Sequence, residues 1–174
     1  MSTRHLWIVR HGEATPDQSG LSVTGRRQAD LLGARLAGLT FASISHSPRP
    51  RAERTAEVVA AHLPGVPVRV AAELDDRIPT EDPAADAAMI ARFTAPVADE
   101  THDLVITHNF QVGWFVRDAL AAPPERFRVV NHANTGLTVI RYPAGSWPRV
   151  LLVNDLSHLE PGLRWTGLPP ELRL

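Results

Sequence analysis

Two short, wholly apolar runs each end in a histidine. Leu6-Trp7-Ile8-Val9 leads into Arg10-His11-Gly12-Glu13, and Leu104-Val105-Ile106 leads through Thr107 into His108-Asn109. Runs this short and this apolar read as strands buried on both faces, the pattern of a parallel sheet covered by helices. The stretches between such runs are longer and amphipathic, so strand and helix alternate along the chain. The expected fold class is α/β: a three-layer α/β/α sandwich with a mainly parallel central sheet. In an open sheet of that kind ligands gather beyond the carboxyl ends of the strands, where both histidines fall.

Within that frame residues 6–9 form the first strand and 24–39 a helix, with Thr24 as its cap and Ala29, Leu32 and Leu36 on its apolar stripe. Residues 41–45 are a second strand, 49–63 a helix stopped by Pro64-Gly65, and 66–70 a short third strand. The acidic stretch 75–83, broken by Pro79 and Pro83, reads as a loop before a helix over 84–93. Residues 103–107 feed a helix over 111–120. Segments 127–130, 137–141 and 150–153 complete the sheet, the last two joined through Pro143-Ala144-Gly145. The tail 165–174, with Trp165, Leu168 and Leu172 around Pro169-Pro170, is expected to pack on the body.

Composition narrows the function classes. At 174 residues and 44% hydrophobic content there is material for one sizeable core, so 1–174 is expected to be a single domain. A formal net charge of −1 supplies no global basic field, and neither nucleic acid nor a membrane is an expected partner. Any anion site must be local. The absence of cysteine excludes disulfides, thiolate metal ligands and a cysteine nucleophile. All 18 basic residues counted as Lys or Arg are arginine, a bias too general to mark any one position. Residues 1–5 have no signal-peptide core and no run approaches the ~20 apolar residues of a membrane span, so a cytoplasmic protein is expected. A homo-oligomer stays open.

Arg10 and His11, Arg51 within Ser47-Pro48-Arg49-Pro50-Arg51-Ala52-Glu53-Arg54-Thr55-Ala56, and His108 stand at three strand-to-helix junctions of the expected fold. Together they can surround one phosphoryl group. Arginine forks match phosphate oxygens bidentately, and backbone amides at the helix starts near Arg49 and Asn109 add donors. Phosphoryl transfer spreads charge over three equatorial oxygens, so such a clamp supplies most of the catalysis. Thr15 and Ser22 are further candidates to reach a phosphate oxygen, Glu13 to support the site and His46 to line its mouth. His5, His62, His102 and His132 have no ligand spacing and are read as structural or exposed; no metal site and no cofactor are expected.

Taken with Leu21-Ser22-x-x-Gly25-x-x-Gln28-Ala29, Asn134-Thr135-Gly136-Leu137-Thr138 and Val153-Asn154-Asp155-x-x-His158-Leu159, these motifs resemble the histidine phosphatase, or phosphoglycerate-mutase-like, superfamily over nearly the whole chain. That resemblance implies a metal-independent phosphomonoester hydrolase in which His11 becomes phosphorylated. Arg10 and Arg51 would hold the phosphate, and His108 would supply a further donor and positive charge. It also implies a carboxylic acid that protonates the leaving oxygen and then activates water. Leu74-Asp75-Asp76-Arg77-Ile78-Pro79-Thr80-Glu81-Asp82-Pro83 is similar to the Leu-x-Glu-x-x-Pro-x-x-x-Pro segment of the branch that includes a mitochondrial protein serine/threonine phosphatase. This registers Asp76 with the acid, as Asp where the family has Glu, and leaves Glu81 in reserve.

The substrate is then a phosphorylated molecule, either a small phosphoester or a phosphoprotein. Three rivals remain: a phosphoglycerate-mutase-type phosphotransferase, disfavoured because such mutases carry longer insertions; a catalytically weak phosphate- or phosphoprotein-binding module; and a metal-dependent hydrolase, which no His-x-x-x-His pair supports.

Overall fold

The computed structural model describes residues 2–174. Its strands are β1 (Thr3–Arg10), β2 (Ser43–His46), β3 (Val68–Val70), β4 (Thr101–Thr107), β5 (Leu137–Pro143) and β6 (Arg149–Asp155). They form one sheet in the order β3-β2-β4-β1-β5-β6. β3, β2, β4 and β1 run parallel, and β5 is antiparallel to both its neighbours. The mainly parallel sheet expected from the apolar runs is present, with one strand reversed.

Alternation within β1 shows why this sheet needs a layer on each face. Leu6 and Ile8 pack to one side with Met89, Val105, Phe115 and Ile140; Val9 packs to the other with Leu32, Leu36, Ala56, Leu104 and Ile106. All of these are fully buried. Burying a side chain of the size of Ile or Leu contributes about 1.5–3 kcal/mol, so losing either helical layer would expose the strand that carries the histidine. α3 (Pro83–Thr94) and α4 (Asn109–Ala119) cover the first face, α1 (Val23–Leu36) and α2 (Pro50–Ala60) the second. α1 meets the end of α2 at Gly33, where a Cβ would lie 2.4 Å from His62 Cδ2. The mid-helix glycine is a packing requirement.

Some expected boundaries shift for identifiable reasons. The cap of α1 is Ser22, not Thr24: Ser22 Oγ accepts from Gly25 N–H (2.9 Å) and donates to Glu13 Oε1 (2.6 Å). The helix stops at Leu36, and the chain turns through Gly38 at φ +86°. α2 ends at Ala60 and α4 begins at Asn109, two residues before the expected start. Segment 127–130 is not a strand. Pro124–Val129 is a 3-10 helix whose Phe127 is buried under α4, edge-on to Phe110 and Trp114. The Phe127 carbonyl sits 2.3 Å from where a Cβ on Gly113 would fall, so the backbone of this turn lies directly against α4, with Phe127 as its buried anchor.

Candidate active site

The turn that follows β1 is gripped from four directions. His11 N–H donates to Thr107 O on β4 (2.9 Å), Gly12 N–H to Thr55 Oγ1 on α2 (3.0 Å), and Glu13 N–H to Gln28 Oε1 on α1 (2.9 Å). From the segment before β5, Thr135 N–H donates to Arg10 O (2.9 Å) and Asn134 Nδ2 to His11 O (2.8 Å). Buried backbone groups must be paired, and here the pairing fixes the turn in space. Gly12 and Gly25 make the fit possible. A Cβ on Gly12 would lie 2.6 Å from Gly25 O, and one on Gly25 only 2.0 Å from Glu13 O.

The protonation of His11 follows from its partners. Nδ1 lies 2.7 Å from Gly12 O, which can only accept, so Nδ1 carries the hydrogen. Nε2 is left with its lone pair, into which Arg51 Nε–H donates (3.1 Å). Burial, and after it the Arg10 charge, pushes the His11 pKa down to about 3. The ring is therefore a neutral imidazole with Nε2 as its nucleophilic atom. His108, at the end of β4, meets it at 5.1 Å between ring centroids and 60° between planes. Arg51 Nη2 donates to His108 Nδ1 (3.4 Å), which places the His108 hydrogen on Nε2, pointing at Ser47 Oγ (2.7 Å). Burial first, then His11, Arg51, Arg10 and Arg49, lowers the His108 pKa far below its usual value. In the unbound site His108 is neutral, and the positive charge expected of it is absent.

Arg10 is turned edge-on to the same space. Both hydrogens of Nη1 are taken by main-chain carbonyls, His132 O (2.8 Å) and Gly167 O (2.9 Å). The Nε side is buried and has no hydrogen-bond partner among the described residues. Nε–H and Nη2 form the side-on fork with which arginine takes an oxyanion, and that fork is held free. Burial lowers the Arg10 pKa to about 10, partly offset by Asp76.

The acidic loop contributes one carboxylate. Asp76 pairs with Arg51 Nη2, and its Oδ2 lies 3.6 Å from His108 Nδ1. Asp75 is engaged by Arg49 (2.6 Å) and Glu73 by Arg92 (2.6 Å). Glu81 is exposed and forms no ion pair with the site. The loop is braced by Thr107 Oγ1 donating to Leu74 O (2.9 Å), Gln111 Nε2 donating to Arg77 O (2.7 Å), and Asp86, which accepts from Arg77 and from Thr80 N–H.

Arg10, His11, Arg51, Asp76 and His108 are thus brought together. Thr15 and Ser22 are not: Thr15 Oγ1 is spent on Asp17 (2.6 Å) in an exposed turn, and Ser22 caps α1. Asn109 starts α4, but its side chain accepts from His132 N–H (2.8 Å) and so shapes the loop that holds Arg10. His46 is buried with Nδ1 bonded to Ser47 O (2.9 Å). Ser47, Thr55, Gln28 and Asn134 support the site without having been assigned roles from the sequence, although each lies inside a family-like motif.

Two other features need placing. A cavity of about 600 Å³ opens between α3 and α4, against Ile90, Trp114, Arg117 and Asp118, but none of the five convergent residues lines it. Its size does not make it the reactive centre, because it lacks converging donors. At the far end of the sheet His5, Glu100 and His102 bring ligand atoms within 4.8 Å of one another. Trp7 Nε1–H donates to His102 Nδ1 (3.0 Å), leaving the His102 hydrogen on Nε2, towards Glu100. The His5 and His102 rings stack at 15°, so their in-plane lone pairs run side by side and do not meet at one point. Neither feature suits a metal.

A sequence profile of the histidine phosphatase superfamily (branch 1) matches residues 6–79, the stretch that holds Arg10, His11, Arg51 and Asp76. The phosphoglycerate mutase of Plasmodium falciparum has the same fold, with a TM-score of 0.72 at 23% identity over 92% of this chain and 96% of that one. The chain belongs to the histidine phosphatase superfamily. Among superfamily members, the mitochondrial serine/threonine-protein phosphatase Pgam5 of Caenorhabditis briggsae is 26% identical over 92% of this chain and 66% of its own length. The mitochondrial serine/threonine-protein phosphatase PGAM5 of Rattus norvegicus is 32% identical over 79% of this chain and 57% of its own. The chain thus spans about three-fifths of the curated relatives it matches. These relatives overturn the cytoplasmic expectation, since they are mitochondrial proteins. Among the described residues no helix is long and apolar enough to cross a membrane.

Proposed function

We propose that residues 1–174 form one catalytic domain that hydrolyses phosphomonoesters through a phosphohistidine on His11, without a metal. The observation that carries this reading is the His11 tautomer. Nδ1–H is committed to Gly12 O, and the Nε2 lone pair faces the space bordered by Arg51, His108 and the Arg10 fork. In the first step Nε2 attacks phosphorus, the bond to the leaving oxygen breaks, and Asp76 in its acid form gives that oxygen a proton. In the second, water attacks phosphorus, the P–N bond breaks, and the Asp76 carboxylate takes the proton from water. Phosphate leaves and His11 returns to its neutral form.

Arg10 and Arg51 hold the equatorial oxygens, and His108 protonates as the dianion arrives, which supplies its charge only when it is needed. Arg51 must change partners for this to happen. In the unbound site it caps the Nε2 lone pair and holds Asp76; moving to phosphate oxygens releases both. The names of the mitochondrial relatives support a phosphorylated serine or threonine side chain in a protein as the substrate class.

The test is an acid quench and a base quench of the protein turning over a radiolabelled phosphomonoester in the presence of chelator. An acid-labile, base-stable phosphoprotein that is missing from His11→Ala is expected. An acid-stable adduct, or turnover that requires a divalent metal, overturns the mechanism.

A further inference from the structure

The segment after β6 returns to the site and touches Arg10. Trp165 (φ +63°) and Gly167 (φ +75°) both adopt the left-handed region, so the chain kinks on either side of Thr166. Trp165 and Leu168 anchor the kink in an apolar cluster with Ala133, Leu156 and Leu159. Between those anchors the carbonyl and the hydroxyl of Thr166 are both used. Its carbonyl accepts from Asn134 N–H (3.2 Å), and its hydroxyl lies 3.1 Å from Asn134 Oδ1 and 2.6 Å from Gln28 Nε2.

The direction of each of these bonds is forced. Asn134 gives its NH2 to His11 O, so its Oδ1 must accept, and Thr166 O–H must donate to it. With its hydrogen committed, Thr166 Oγ1 accepts from Gln28 Nε2, and Gln28 Oε1 is left facing Glu13 N–H. One hydroxyl therefore joins the backbone on both sides of Gly12, at His11 O and Glu13 N–H. One residue further on, Gly167 O takes a hydrogen from Arg10 Nη1. The approach is so close that a Cβ on Gly167 would lie 2.9 Å from Arg10 Nη1 and Nη2 and 2.3 Å from Asn134 Oδ1.

We infer that Thr166 and Gly167 are positioning residues for anion binding: they hold the Arg10 guanidinium by its Nη1 corner so that its Nε/Nη2 edge faces the phosphate. This rests on the reading above that Arg10 binds phosphate. Arg10 provides the contact, and segment 165–167 sets its angle. Without the Gly167 carbonyl, one Nη1 hydrogen loses its partner and the guanidinium is free to rotate towards other acceptors. Without the Thr166 hydroxyl, Asn134 Oδ1 and one Gln28 N–H are left unpaired, and both residues are buried.

The experiment compares wild type with Thr166→Val, Thr166→Ser and Gly167→Ala in three readouts: inorganic phosphate affinity, the KM and kcat of p-nitrophenyl phosphate, and the guanidinium resonances of Arg10 in 15N-arginine-labelled protein, identified by their loss in Arg10→Lys. Thr166→Val and Gly167→Ala are expected to weaken phosphate binding and raise KM by about tenfold while kcat changes much less. Their separate Arg10 Nη signals are expected to merge as the group begins to rotate, and Thr166→Ser is expected to behave as wild type. Folded Val and Ala variants with unchanged Arg10 signals and unchanged phosphate affinity overturn the inference. So does a serine variant that loses as much as the valine one, because the hydroxyl would then be irrelevant. If wild type neither binds phosphate nor turns over, yet the Arg10 signals merge only in the Val and Ala variants, the positioning of Arg10 stands and the phosphatase reading falls.

Discussion

β1 and β4 carry a histidine pair at each end of their shared ladder. At the amino end His5 and His102 are register partners, with rings stacked 4.5 Å apart. At the carboxyl end His11 and His108 meet at 5.1 Å and 60°. Both pairs are packed into the sheet, and burial lowers the pKa of His5 as it does that of His11. The difference lies in what fills the second nitrogen of each ring. At the amino end an indole N–H occupies His102 Nδ1 and the neighbouring charge is Glu100; at the carboxyl end each ring has one nitrogen tied to the protein and one turned to Arg51. A histidine pair packed across neighbouring strands is not in itself a site. It becomes one where a lone pair is left pointing into converging N–H donors, which a parallel sheet provides only where strands end and helices begin.

The sharpest way to break this comparison is to delete one ring from each pair. His11→Ala is expected to abolish turnover of p-nitrophenyl phosphate, and His5→Ala to leave kcat/KM within about twofold, since surface-remote changes act on stability and not on the reacting atoms. Comparable losses in the two variants would erase the distinction. Next in size, Asp76→Asn is expected to slow an alkyl phosphate by about 10²–10⁴-fold but p-nitrophenyl phosphate far less, because a phenolate leaves with little protonation. Asp76→Glu should retain activity on both. Equal, small losses for Asp76→Asn on the two substrates would remove Asp76 as the acid.

Arg10→Ala and Arg51→Ala are each expected to cost about 2 kcal/mol or more in kcat/KM, read from steady-state kinetics, because charge-assisted bonds to phosphate are lost. A near-neutral Arg51 variant would take it out of the clamp. The pH dependence of stability is a smaller effect. His11 and His132 are held near pKa 3, and His108 is lowered in the same direction, against 6.5 for an unperturbed histidine. Below about pH 6.5 the unfolded chain takes up protons that the folded chain refuses. Stability is therefore complete above pH 6.5 and falls as the pH drops towards the folded values, by about 1.4 kcal/mol per pH unit for each such histidine. Urea denaturation between pH 7 and pH 5 should show a shallower fall for His11→Ala than for wild type; an unchanged slope would mean that His11 is not buried in its neutral form. Smallest of all, His102→Ala should cost about 1 kcal/mol by the same assay, through loss of the acceptor for the Trp7 indole, with no change in activity.

Much of the reactive end was legible because it is made of local signals. Arg10-His11 and His108 directly follow apolar runs, and Arg51 and Asp76 sit in short motifs whose neighbours are themselves informative. What was not legible depends on chain segments far apart in sequence. His5 and His102 carry no ligand spacing because only strand pairing brings them together. Ser22 looked like a phosphate contact until Glu13, across the turn, fixed it as a helix cap. Thr15 was lost to Asp17, a competition between neighbours that spacing alone does not resolve. The run at 127–130 reads as a strand because so short a stretch has no periodicity of its own, whereas Pro123-Pro124 ahead of it and Gly113 opposite it suit the 3-10 helix that forms. The contact of Gly167 with Arg10 had no signal in the sequence at all.

The strand order carries a cost during synthesis. β1 is flanked by β4 and β5, and its first partner residues begin at Thr101, where Arg4 pairs, and continue after Leu137. At about 5–20 residues per second, a ribosome takes on the order of ten seconds to deliver the first of those neighbours. Throughout that interval Leu6-Trp7-Ile8-Val9 is an apolar strand with both edges open, already joined to Arg10-His11, and its native neighbours in the sheet do not yet exist. Until β4 has emerged, an incomplete chain is therefore expected to expose β1 as an unpaired apolar strand open to aggregation.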